Sequence, residues 1–365
     1  MNELDKQRKI IKETDAQMAK LFQKRMECVE QIALYKKSNA LPIYDSKREA
    51  ELLAENSALI EDETIRQYYF DFLKSNMAIS KAYQQRLLNG LKIAYSGVPG
   101  AFAHIAAEKM FPGATHIACR SFDEAYKKVE DGQADTCVLP IENSTAGDVG
   151  TVMDLIFSGS LFINRMFELE VDQCLLAKEG ASVFDIKTVV SHPQALEQCR
   201  QYINEHGFAE KEATNTAVSA KAVAEGDDKT VAVIASDRTG ELYGLKVLAN
   251  RINQSRNNTT RFAAFAKSLN IPDKSVKMGE HFILVFTVKN EAGALAKCLD
   301  IIGAHGFNMR NLRSRPMKEL MWNYYFFVEL EGNVNTEDGN TMMRALQTLC
   351  DRLKLVGTYY SFCEK

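Results

Sequence analysis

Residues 3 to 38 contain neither glycine nor proline, and Ile11, Met18, Phe22, Val29 and Ile32 recur across them at helical spacing. The run predicts one helix about 50 Å long at roughly 1.5 Å per residue. Leu41-Pro42-Ile43 stops it. Asp45 offers an N-cap for a second helix starting at Ser46 and running past Leu53, and a third stretch runs from Thr64 to Leu88 before Asn89-Gly90. Three helices without a strand enclose little core, and a helix this long has no partner of its own length in so small a domain. Dimerisation through intertwined helices would supply one.

The texture changes at Lys92. Ile93-Ala94-Tyr95 reads as a short strand, followed by strand-like runs at Thr136 to Leu139, Asp172 to Ala177, Thr188 to Ser191 and Thr230 to Ile234. Helical patterns lie between them, at Phe122 to Glu130, Ala195 to His206 and Ala217 to Glu225. This alternation predicts α/β architecture with mostly parallel sheets. Residues 267 to 280 are polar and contain Pro272, as a linker does. Strand (Phe282 to Val288), helix (Gly293 to Ala304), two strands (Phe307 to Ser314, Trp322 to Leu330), helix (Thr336 to Arg352) and strand (Leu355 to Ser361) follow. That βαββαβ order predicts a ferredoxin-like unit. The chain of 365 residues is too long for one core, and the expected domains are 1–90, 91–268 and 279–365.

With 46% apolar and 25% charged residues the composition is that of a globular protein. A formal net charge of -3 leaves no footprint for nucleic acid or an anionic membrane. No apolar run spans a bilayer, and the charged first twelve residues are no signal peptide. The eight cysteines form no C-x-x-C pair and the six histidines no ligand spacing, so free thiols, a cytoplasmic location and no metal are expected.

On the first helix Arg25 and Lys36 share a face, eleven residues or about 20° apart, whereas Arg8 lies about 100° off it. A partner helix from a second subunit would bring Arg8 in. Arg48 and Glu49 sit in the first turns of the second helix, and Ser80 and Gln84 line one face of the third. Such a cationic cluster with two neutral hydrogen-bonding groups suits a small dicarboxylate; the alternative is ordinary surface charge. The pattern Arg8…Asp15…Arg25…Lys36…Asp45-x-x-Arg48-Glu49…Ser80-x-x-x-Gln84 resembles the all-helical chorismate mutase family across residues 5 to 88. The resemblance implies a Claisen rearrangement of chorismate without cofactor, by orientation and electrostatics. Arg8 (from the other subunit), Arg25 and Arg48 would then hold the two carboxylates, Lys36 and Gln84 would face the ether oxygen, and Glu49 would bind the ring hydroxyl. Asp45 and Ser80 would lie at the rim.

Four segments of the middle region carry chemistry. Gly97-Val98-Pro99-Gly100-Ala101-Phe102 is a turn opening a helix, where backbone N–H groups favour an anion. Pro140 to Gly147 (PIENSTAG) is a run of small polar residues that either binds a carboxylate or hydroxyl or caps a helix. Ser191 to Cys199 (SHPQALEQC) offers His192 as a base, though Pro193 beside it suggests a constrained turn. Asn258-Thr259-Thr260-Arg261-Phe262 could sit at a strand mouth. Together with Leu242 to Leu245 (LYGL), these segments resemble prephenate dehydratase over residues 91 to 268. That family implies two α/β lobes, akin to type II periplasmic binding proteins, with a site in the cleft. There prephenate would lose its ring hydroxyl and CO2 to give phenylpyruvate. Expelling hydroxide requires a proton donor, a place the resemblance gives to Thr260. Glu142, Asn143, Ser144, Ser191 and Gln198 would orient the substrate. Arg261 would do so too, or would instead hold the loop through a salt bridge. Ala103 stands where the family commonly has Ser.

Residues 280 to 365 resemble the ACT domain, which binds amino acids at a dimer interface. Gly293-Ala294-Leu295 and Asn308 match effector-contacting positions. Ser314 and Arg315 belong to Arg313-Ser314-Arg315-Pro316, where phenylalanine-binding versions usually show Glu-Ser-Arg-Pro. The resemblance implies feedback by phenylalanine as effector, and the charge reversal at Arg313 bears on whether that regulation survives in altered form. The combined expectation is a homodimeric or larger bifunctional enzyme of phenylalanine biosynthesis. Its alternatives are a non-catalytic sensor, or a dehydratase acting on arogenate.

Overall fold

The structure, a computed structural model, describes residues 2–39, 41–43, 45–255, 257–269, 279–317 and 323–360. The chain divides into two compact units, Met1–Lys92 and Ile93–Lys365.

The first unit is three helices: α1 (Glu3–Ser38), α2 (Ser46–Ser57) and α3 (Glu63–Asn89). Each begins on a side-chain cap, from Asn2, Asp45 and Asp62 respectively. Among its described residues only Val29, Ala33, Ser80 and Gln84 are buried. Of the periodic apolar residues of α1, Val29 alone is covered; Ile11 is 59% and Phe22 42% exposed. A stripe of this size left open to water costs about 25 cal/mol per Å2 of apolar surface.

The second unit opens with β1 (Lys92–Ser96), α4 (Phe102–Met110), β2 (Thr115–Cys119), α5 (Phe122–Glu130), β3 (Thr136–Asn143), β4 (Gly147–Asp148), α6 (Gly150–Ser158) and β5 (Phe162–Glu170). A second lobe follows: β6 (Cys174–Ala177), β7 (Thr188–Ser191), α7 (Pro193–Gln198), α8 (Arg200–His206), β8 (Ala209–Glu212), α9 (Thr216–Glu225), β9 (Val231–Ala235), α10 (Asp237–Tyr243) and β10 (Lys246–Ala249). β11 (Thr259–Ala266) returns to the first lobe. The C-terminal module is β12 (Glu280–Val288), α11 (Ala294–Ala304), β13 (Met309–Pro316), β14 (Tyr324–Glu331), α12 (Glu337–Leu349) and β15 (Cys350–Tyr360). Trp322 and Ser361, expected at strand ends, lie outside the described residues.

The sheets are mixed rather than mostly parallel. β1 and β3 are parallel, as are β7 with β8 and β9. β11 is antiparallel to both β3 and β5. A parallel partner needs a crossover; β11 arrives straight from the second lobe and so enters against its neighbours. The expected helix from Ala195 to His206 is broken at Cys199, whose ψ of 10° ends α7 before α8 begins.

The C-terminal strands lie in the order β13-β14-β12-β15, and β15 abuts β5, so one ten-stranded sheet runs from the first lobe into the module. Phe282, Leu284 and Phe286 pack under α11 and α12 on one face. On the other, Ile283, Val285, Tyr325 and Phe327 share a core with Met153, Ile156 and Phe157 of α6. Phe157 and Tyr325 stack with centroids 4.4 Å apart. Gly357 pairs with Ile163 where the two parts join, and a Cβ on it would collide with the Ile163 carbonyl oxygen. Gly357→Ala is therefore expected to cost about 1–3 kcal/mol of overpacking strain. A urea unfolding midpoint equal to the parent's would show that the strands do not approach so closely.

Candidate active sites

In the first unit α1 and α3 meet where the Arg25 guanidinium donates to Ser80 Oγ. Ser80 Oγ in turn donates to Asn76 O at 2.8 Å. Burial lowers the Arg25 pKa, as desolvation of a cation must. One turn beyond Ser80, the Gln84 Oε1 is buried without a partner among the described residues. An orphaned acceptor at this depth marks a place where a ligand or another chain supplies a donor. Glu49 pairs with Lys81 Nζ at 3.0 Å, joining α2 to α3. Lys36 Nζ donates to Ile43 O at 2.7 Å. Asp45 caps α2 through Arg48 N at 3.0 Å, and Arg48 lies 3.5 Å from Glu51. Arg8 is exposed, seventeen residues or about 25 Å along the helix from Arg25. The unit thus brings Arg25, Ser80 and Gln84 together and leaves Arg8 away from them. Lys81, which sequence reasoning missed, carries no signal beyond its place one residue after Ser80.

In the second unit a cavity of about 480 Å3 lies between the two lobes. Asn143, Gln198 and Thr260 line it, with Ala103 and His192. The Asn143 amide is oriented unambiguously, because its Oδ1 accepts from Thr145 N at 3.0 Å and from Ala146 N at 2.9 Å. Its Nδ2 must therefore face inward, where it donates to Asn258 Oδ1 and to Thr260 Oγ1, each at 2.9 Å. Thr260 accepts this bond, so its own hydroxyl proton is left to donate. The hydroxyl of a 9% exposed residue is held in one direction by a buried amide.

The cavity attracts anions. Ala101, Val149, Ala195 and Thr216 place the starts of α4, α6, α7 and α9 on its wall. No described side chain caps α4, and Phe102 and Ala103 of its first turn line the cavity, so their amides are open to a carboxylate. Arg120 and Asp148 put one positive and one negative side chain on the wall, so the pull on an anion comes from the helix starts and from Arg120, and Asp148 is held by Arg313. Gln173 contributes a buried Oε1 without a partner among the described residues, while its Nε2 donates to Gln198 Oε1 at 3.3 Å. Gly97 and Gly100 hold the first turn with φ of 109° and 88°. Across the cleft, Thr239 Oγ1 donates to Gly100 O at 2.8 Å and Tyr243 OH to Pro99 O at 3.0 Å. The LYGL segment is thus a clasp on that turn.

Four expected substrate contacts lie elsewhere. Ser191 is fully buried and donates to Ile234 O at 2.6 Å. Ser144 Oγ donates to Asn257 O at 2.7 Å and accepts from Thr259 N at 3.0 Å, stitching the loop to β11. Glu142 and Arg261 are turned away together. β3 takes two steps, from Pro140 through Ile141 to Glu142, opposite the single step from Phe262 to Arg261. The extra residue inverts the alternation, so Pro140 faces the cavity and Glu142 does not. Sequence reasoning missed Arg120, Gln173, Asn215 and Asn258. Asn258 and Asn215 had a signal, small polar residues immediately before a strand and a helix; Arg120 and Gln173 had none.

Arg261 takes its structural alternative. It bonds Glu329 of β14 in a fork, at 3.0 and 2.9 Å. Burial pushes the Glu329 carboxyl up, but Arg261 outweighs it and the net shift is downward. Larger cavities of about 720 and 960 Å3 flank β5, and neither reaches Thr260 or Asn143.

In the module, Gly293 (φ 79°) precedes α11. Ala294 and Leu295 line a recess of about 110 Å3. Asn308 Nδ2 donates to Glu331 at 2.9 Å. Ser314 is exposed. Arg315 lies 3.8 Å from Asp154 of α6 and packs on Gly150. Strand alternation sends Ser314 and Arg315 to opposite faces, so Arg315 meets the dehydratase-like lobe, not the recess.

The sequence pattern of type II chorismate mutases matches residues 7–85, and that of prephenate dehydratases residues 93–270. A bifunctional chorismate mutase/prephenate dehydratase of Neisseria gonorrhoeae is 33% identical over 359 residues, 96% of this chain and 95% of its own. Among solved structures, GqqA, described as a novel type of quorum quenching acylase, is 30% identical with a TM-score of 0.68, covering 74% of this chain and 98% of its own. Prephenate dehydratase of Arthrobacter aurescens, solved in complex with L-Phe, is 27% identical with a TM-score of 0.68, covering 74% and 90%. The chain belongs to the bifunctional chorismate mutase/prephenate dehydratase family. It is an enzyme with a mutase part and a dehydratase part.

The Glu329 pair gives a pH test. A carboxyl depressed on folding contributes stability that is present above its ordinary value of 4.5 and is lost as pH falls through its lower folded value. Glu329→Gln is expected to cost about 3–5 kcal/mol near pH 7 by leaving Arg261 unpaired, and less at about pH 3. Urea titrations at both pH values measure this; an equal penalty at both would rule out the ion pair as its cause.

Proposed function

We propose that the chain rearranges chorismate to prephenate in its first unit and converts prephenate to phenylpyruvate in its second, two consecutive steps toward phenylalanine. The observation that carries the dehydratase step is the inward-facing Asn143 amide, which leaves the Thr260 proton free to donate. Thr260 gives that proton to the departing ring hydroxyl and takes one back from solvent in the cleft, so one solvent proton is consumed per turnover. The C–C bond to the ring carboxylate breaks, its electron pair enters the ring, CO2 leaves, and the C–O bond cleaves as water forms. The first-turn amides of α4, with Arg120, hold the substrate carboxylates, and Gln173 and Gln198 orient the substrate.

For the mutase, Arg25 and Arg48 hold the carboxylates with the partner subunit's Arg8, Lys36 and Gln84 face the ether oxygen, and Glu49 meets the ring hydroxyl, with Asp45 and Ser80 at the rim. The exposed stripe of Ile11, Met18 and Phe22 supports an intertwined dimer, and so does the orphaned Gln84 oxygen. The working domains are 1–90, 91–268 and 279–365. The last is a ferredoxin-like ACT module that takes phenylalanine beside Gly293, Ala294 and Leu295. The recess there is too small for the amino acid alone, and a second module completes it. Soluble metabolites as substrates and the free thiols of the described cysteines fit a cytoplasmic enzyme.

Incubation with chorismate should yield prephenate and then phenylpyruvate. Arg25→Ala should lower mutase turnover by about 10²-fold or more and leave turnover of added prephenate intact. Thr260→Ala should do the converse, by about 10²-fold, with Thr260→Ser retaining activity. Loss of both activities in either variant would contradict separate sites. Phenylalanine should raise the melting temperature and slow prephenate turnover; no response in either assay would remove the effector.

A further inference from the structure

The β3–β4 hairpin carries the loop that presents Asn143, and it sets Glu142 directly opposite Asp148. Two carboxylates in that relation repel each other and open the hairpin. Arg313 supplies the counter-charge from β13. Its Nη2 lies 2.5 Å from Glu142 Oε1, and its Nη1 binds Asp148 Oδ1. The guanidinium is well placed for the task. Its side chain is 14% exposed, and its Nε donates to Asn311 Oδ1 at 3.0 Å. Arg261, 3.6 Å from the other Glu142 oxygen, is already committed to Glu329 and does not substitute for it. A planar fork that spans two carboxylates is a task for arginine.

Asn143 and Gly147 form the next pair of the same hairpin. Opening it would release the Thr145 and Ala146 amides from Asn143 Oδ1, and with them the amide orientation that directs Thr260. We propose that Arg313 is a positioning residue for the dehydratase site, holding the Asn143 hairpin closed by neutralising Glu142 and Asp148. Its effect on turnover rests on the dehydratase reading; its effect on the hairpin does not. Because Arg313 belongs to the C-terminal module, the closed hairpin depends on where β13 sits.

The test uses the full chain and two readouts, amide exchange at residues 143–147 and kcat/KM for prephenate. Arg313→Gln should speed exchange at Thr145 and Ala146 and lower kcat/KM, each by about tenfold, with chorismate turnover unchanged. Arg313→Lys should fall between. Glu142→Gln in the Arg313→Gln background should restore both readouts toward the parent, since a neutral residue opposite Asp148 removes the repulsion and Glu142, unlike Asp148, does not line the cavity. Parental exchange in Arg313→Gln, or a double variant showing the product of the single effects, would overturn the proposal. If the parent does not turn over prephenate, the dehydratase reading fails and the exchange data alone decide the clamp. If Arg313→Gln does not fold, recovery of folding in the double variant supports the clamp and its absence sinks it.

Discussion

β11 is the strand on which the second unit depends. It leaves the second lobe, enters the first between β3 and β5, and closes a sheet that would otherwise be split. Because successive side chains of a strand point to opposite faces, one peptide unit divides two tasks. Thr260 faces the cleft and meets Asn143, while Arg261 faces the other way and meets Glu329. A one-residue slip of β11 would exchange these faces, burying an unpaired guanidinium in the cleft and taking the hydroxyl out of it. The ion pair and the hydrogen bond thus fix the same register from opposite sides.

Much of the fold was legible because it is written in local periodicity. The bounds of α1, the Asp45 cap and the βαββαβ order of the module follow from spacing and capping residues that act within a few positions of each other. The mixed sheet was not legible, because the direction of β11 is set by a connection through the second lobe and not by its own sequence. The site was legible in its contiguous motifs and misread in detail for the same reason. PIENSTAG marks the right loop, yet the extra residue at Ile141 turns Glu142 from the cleft. SHPQALEQC marks the right helix start, yet Ser191 spends its hydroxyl on Ile234 of the neighbouring strand. Motif residues that build the site and motif residues that touch the substrate look alike in a sequence.

The first unit shows the opposite relation between pattern and packing. Its amphipathic spacing is strong, yet most of the apolar stripe is exposed within one chain. Helical stability comes mainly from burying such a stripe, so an isolated α1 of this length would be marginal along its N-terminal half. The same half carries Arg8, about 25 Å from Arg25 by the rise of the helix. A second copy of the chain that covered this stripe would also lie along Arg8, so the dimer proposed for the mutase answers the exposed surface and the distance of Arg8 together.

The C-terminal module is tied to the dehydratase lobe through a shared core and through charge. Ile283, Val285 and Tyr325 make the core continuous, but apolar contact tolerates small shifts. Ion pairs with fixed geometry do not. Three arginines cross or border this junction: Arg261 to Glu329, Arg313 to Glu142 and Asp148, and Arg315 to Asp154. Two of them stand on β13, an edge strand with one neighbour in the sheet. An effector that moved β13 would act on the charge balance of the Asn143 hairpin before it disturbed any apolar packing. The charge at position 313 is thus fixed by the two carboxylates it meets on the dehydratase lobe, Glu142 and Asp148.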